Sequence, residues 1–62
     1  MNKGTRFVVQ AVFNGTSIRL AVPGKSVDSI MSKLRKKKEV RNATCFLFYN
    51  RSTEKLADVR MN

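Results

Sequence analysis

Asn14-Gly15 constrains this chain more than any other pair of residues. It divides RFVVQAVFNGTSIRLAV into two runs rich in β-branched and aromatic side chains. Asn-Gly is the dipeptide best suited to a two-residue type I′ hairpin turn, in which both central residues need φ > 0. With Asn14 and Gly15 as the loop, Phe13 faces Thr16, Ala11 faces Ile18, Val9 faces Leu20 and Phe7 faces Val22. Strand side chains alternate between faces, so Phe7, Val9, Ala11, Phe13, Ile18, Leu20 and Val22 share one side. A one-residue slip would pair Val12 with Ile18 and scatter that set. Turn chemistry and burial pattern therefore agree on a hairpin. Its other face is mixed, with Arg6, Val8, Gln10 and Val12 against Ser17, Arg19 and Ala21.

Pro23-Gly24 breaks the second strand, and Ser26 suits the N-cap of a helix beginning at Val27. Asp28 in the first turn complements the helix dipole. Val27, Ile30, Met31 and Leu34 form one apolar stripe at i, i+3, i+4 and i+7, and the helix is expected to end near Lys37 or Lys38. ATCFLFY, residues 43 to 49, reads as a third strand that is apolar on both faces, as a strand covered on both sides would be. LADVRM reads as a short fourth strand with Ala57, Val59 and Met61 on one face; a terminal helix is the other reading of those residues. The fold class expected is α+β: a two-layer domain with an antiparallel sheet of three or four strands, in the order β-β-α-β with a fourth strand optional, and one helix on one face. Residues 1–5 read as a flexible N-terminal arm on a single domain.

One helix covers one sheet face, so the third strand must turn one of its apolar sets outward. The expected arrangement buries Cys45, Leu47 and Tyr49 in part and leaves Phe46 and Phe48 outside, beside Gln10 and Arg19. Aromatics exposed there would stack single-stranded bases, or the face would be buried in a homodimer or another protein.

Composition removes most chemistry. The chain has 62 residues, no histidine, one cysteine (Cys45) and four acids: Asp28, Glu39, Glu54 and Asp58. A lone thiol makes no internal disulfide, and the usual zinc sets and nucleophile–histidine pairs have no residues to build them. No enzyme, metal or cofactor is expected. The apolar runs are far shorter than the eighteen or so residues of a membrane span, and no secretory signal is seen, which makes the cytoplasm the default location.

What remains is charge. The net charge is +9, and SIMSKLRKKKEVR holds six of the thirteen Lys and Arg: Lys33, Arg35, Lys36, Lys37, Lys38 and Arg41. Cations near a helix C-terminus favour its dipole by about 0.3–1 kcal/mol each. Four consecutive cations repel one another, however, and neither a dipole nor solubility needs so dense a cluster. The run therefore points to a polyanion or an acidic surface. The functional expectation is a small basic, regulatory module that grips the phosphate backbone of DNA or RNA with low sequence specificity. Lys33, Arg35 to Lys38, Arg41 and Arg19 would hold the partner, with Phe46, Phe48 and Gln10 as sheet contacts.

The order strand, strand, helix, strand is similar to that of small phage-encoded inhibitors of bacterial RNA polymerase, and the short basic chain resembles regulators that phages and plasmids encode. That resemblance implies the alternative: an inhibitor or adaptor docking an acidic surface of a host protein such as the transcription machinery.

Overall fold

A computed structural model describes residues 6–62; the arm expected over residues 1–5 lies outside them. The elements are β1 (Phe7–Phe13), β2 (Thr16–Ala21), α1 (Val27–Leu34), β3 (Cys45–Asn50) and β4 (Leu56–Met61). They build one antiparallel sheet in the order β2-β1-β3-β4 with α1 on one face, the α+β class the sequence points to.

The hairpin register follows the sequence reading, with Phe13 opposite Thr16, Ala11 opposite Ile18 and Val9 opposite Leu20. The turn type does not. Gly15 alone takes a positive φ, +91°, while Asn14 keeps a negative one. This is the type II pattern, which confines the left-handed conformation to the residue without a Cβ.

Ser26 caps α1 as expected. Its hydroxyl accepts a hydrogen bond from the Ser29 N–H at 3.2 Å, and Ile30, Met31 and Leu34 are buried. The helix ends at Leu34, short of Lys37. Beyond it the bonds tighten to i−3, from Lys36 N to Lys33 O and Lys37 N to Leu34 O. A continuing helix would carry Val40 some 240° round from Leu34, at 100° per residue, and into water. Ending early lets Val40 and Ala43 join the core.

Third-strand orientation is the main correction. Phe46 pairs with Ala11 and Phe48 with Val9, so both phenylalanines lie on the helix side and are fully buried. Cys45, Leu47 and Tyr49 face the other way, half-buried, so neither Phe46 nor Phe48 is an open-face contact. The physical preference is plain in retrospect: Phe has no polar atom to leave in water, whereas Tyr carries a hydroxyl best kept wet. Phe7 meets Phe48 edge to face, centroids 6.2 Å apart and planes at 87°. Ile18, expected in the core, is 43% exposed on the edge strand β2.

The C-terminal segment forms β4 beside β3. A bulge sets Leu56 opposite Tyr49 and Asp58 opposite Phe48, leaving Ala57 as the extra residue. Ala57 therefore drops out of the alternation that places Val59 and Met61 together. Asp58 and Arg60 point to the helix side, where Arg60 donates to Asp58 at 2.8 Å and to Asp28 of α1 at 2.9 Å. The Arg60 guanidinium, then the Val59 N–H, hold the Asp58 carboxyl below the usual carboxylate range. Its folded value lies below its unfolded one. Any stabilisation is thus complete above the ordinary carboxylate pKa and fades as pH falls through the depressed value.

Gly24 packs against α1, where an added Cβ would fall 2.6 Å from Cγ1 of Ile30, a side chain with no exposed surface. Ile30 cannot swing away. Gly24→Ala is expected to lower stability by about 1–3 kcal/mol through overpacking, read from the urea midpoint.

Candidate nucleic-acid interface

The sequence-predicted cations divide between two layers of the fold. Lys33 is in the last turn of α1, and its Nζ donates to the Pro23 carbonyl, which directs it back along the helix. Arg35, Lys36, Lys37, Lys38 and Arg41 stand on the turn that follows, all exposed. Arg19 is elsewhere. It projects from β2 on the uncovered sheet face, opposite Gln10, with its guanidinium carbon 5.3 Å from the Tyr49 ring centroid. The fold brings five of the seven together and leaves Arg19 on the opposite layer.

The turn is a built structure. Leu34 and Val40 anchor it in the core on either side of Arg35 to Glu39, and Ala43 closes it. Arg35 N donates to Met31 O at 3.0 Å, and the Lys37 carbonyl accepts from both Val40 N and Arg41 N. At its far end the Asn62 side-chain amide donates to the carbonyls of Arg41 and Ala43, each at 2.7 Å. Thr44 N then joins the sheet at Val12 O. Five cations are thus displayed from a backbone pinned at both ends, which limits the ordering entropy a partner must overcome.

Their electrostatics are unbalanced. None of the five forms an ion pair among the described residues. Asp28 and Asp58 are engaged by Arg60, and Glu54 lies in the β3–β4 turn at another part of the chain. Glu39 alone shares the segment, leaving five positive charges against one between Arg35 and Arg41. Every apolar side chain from Leu34 to Ala43 points inward, so no exposed hydrophobic group interrupts the cations.

On the other layer, Gln10 is half-buried and its Nε2 donates to Ser17 Oγ at 2.9 Å. Tyr49, read from sequence as a packing residue, floors an open depression of about 370 Å³ with Arg19, Arg51 and Glu54 around it. Sequence reasoning missed this grouping, which arises only when β3 is laid beside β1. Among the described residues no three metal-ligating side chains converge, and no helix is long and apolar enough to cross a membrane. No protein family, curated sequence or solved structure matches the chain.

Proposed function

We propose that the protein binds the phosphate backbone of nucleic acid, with low sequence selectivity, through the turn from Arg35 to Arg41. The observation that carries this reading is the pairing of five exposed, unneutralised cations with the absence of any exposed apolar side chain among them. Phosphate contacts need only matched charge and directed donors. A protein interface of comparable strength centres on a desolvated apolar or aromatic anchor, and the turn offers none. Docking on an acidic host protein therefore has less support at this site.

The core position of Phe46 and Phe48 narrows the reading further. Without them the open face has no row of aromatics for base stacking, so contact is with backbone alone. Lys33, turned toward Pro23, drops out of the contact set, leaving five cations.

Titrating the protein with fluorescently labelled duplex DNA, single-stranded DNA and RNA over a salt series tests this. Five phosphate contacts give a log–log slope of about −4.5 on duplex and about −3.5 on single strands. Random-sequence and homopolymer strands should bind alike. A slope shallower than about −2, or a dissociation constant at physiological salt weaker than about 10⁻⁴ M, would overturn the proposal.

A further inference from the structure

The two ends of the basic turn are held in different ways. On the entry side the bonds are local: Arg35, Lys36 and Lys37 donate to the Met31, Lys33 and Leu34 carbonyls a few residues back along the chain. On the exit side the partner is remote in sequence. Asn62, just past β4, reaches back across 21 and 19 residues to the carbonyls of Arg41 and Ala43. Its own backbone N–H donates to the Thr44 carbonyl at 3.2 Å. One residue thus serves most of the carbonyls that lead from the turn into β3.

We infer that Asn62 is a positioning residue for the phosphate grip, fixing the direction of the turn's backbone and so setting affinity without touching nucleic acid. The inference rests on the phosphate-binding reading of the same turn. Burial of Val40 and Ala43 holds the segment against the core, but apolar contact is non-directional. Hydrogen bonds are directional, and those from Asn62 fix how the exit of the turn is aimed. Ala43 is 2% exposed, so its carbonyl has little water to turn to once the amide is gone. Asn62 is also uncharged. Its bonds are not screened by the salt that weakens a cation's hold on phosphate, and its removal leaves the charge of the turn unchanged.

These properties separate two quantities that loss of a cation would move together. Without the amide the turn samples several backbone directions, and only the correctly ordered fraction binds. The apparent dissociation constant then rises by the inverse of that fraction. Two partly exposed neutral hydrogen bonds are enough to lower it by about three- to tenfold. The phosphates neutralised, and so the counterions released, stay the same in number. Affinity falls while the salt slope holds.

Asn62→Ala and Asn62→Leu test this, the second keeping the bulk of the side chain without its donors. Both are titrated with duplex DNA over the salt series, at a temperature where circular dichroism shows each variant folded. The expected result is a dissociation constant about three- to tenfold above that of the unsubstituted chain, with the slope still about −4.5. Hydrogen exchange at the Val40, Arg41 and Ala43 amides should quicken by a similar factor, while amides in β1 keep their rates. Binding within about twofold of the unsubstituted chain, or unaltered exchange in the turn, overturns the inference and leaves the phosphate-binding reading standing. So does a slope that flattens toward about −3.6, the value for four contacts, because a cation would then have been lost. An unsubstituted chain that fails to bind overturns the reading itself, and this inference with it.

Discussion

Phe48→Ala will remove about half or more of the protein's stability and lower its urea midpoint steeply, while Tyr49→Ala, one residue along the same strand, will move the midpoint little. Phe48 has no exposed surface; it lies opposite Val9 and meets the Phe7 ring edge to face. Emptying such a site costs about 3–5 kcal/mol in lost transfer energy and cavity. A 62-residue domain has only about 3–9 kcal/mol in total, at roughly 0.05–0.15 kcal/mol per residue. Among the described residues the ten buried apolar side chains form one cluster, with no second core to take up the loss. Tyr49 is half-buried on the open face and would forfeit part of its contact area together with the Arg19 interaction, about 1 kcal/mol or less for the latter. Urea unfolding followed by circular dichroism separates the two. A Phe48→Ala protein with a near-native midpoint would mean that β3 is turned the other way.

That contrast also marks how far the sequence could be read. Hairpin register was legible because both of its determinants are local: a two-residue loop fixes which positions oppose, and alternation then decides which side is apolar. Ser26, Asp28 and the stripe from Val27 to Leu34 were legible for the same reason, since a helix N-terminus is written within a few residues. Beyond Leu34 the deciding contacts are distant. Val40 and Ala43 enter a core made by strands far away in sequence, and that gain outweighs further helical bonds among like charges.

The orientation of β3 was illegible from its own residues, because both of its faces are apolar. Pairing with β1 settled it: placing Phe46 against Ala11 and Phe48 against Val9 completes the face that α1 covers. The missing clue was chemical rather than periodic, the hydroxyl of Tyr49 and its lack in Phe. As for the candidate site, the cations of the basic run were evident from the outset. Their separation from Arg19 by the thickness of the sheet was not, since strand order and helix side are properties of the whole fold.

Replacing Lys36, Lys37 and Lys38 together by alanine should weaken nucleic-acid binding by on the order of a hundredfold at 0.15 M salt, taking each phosphate contact as roughly fivefold. The same change should flatten the duplex salt slope from about −4.5 to about −1.8, because three of five released counterions disappear. All three side chains are exposed and unpaired, so the fold should tolerate their loss, with relief of mutual repulsion set against the poorer charge–dipole balance at the end of α1. Slope and affinity must fall together if the turn is a phosphate grip. Weaker binding with an unchanged slope would mean that the lysines act through the conformation of the turn, and unchanged binding would move the contact to another surface. Arg19→Ala supplies the internal comparison: on the far layer, beside Tyr49, its loss should leave both quantities where they were.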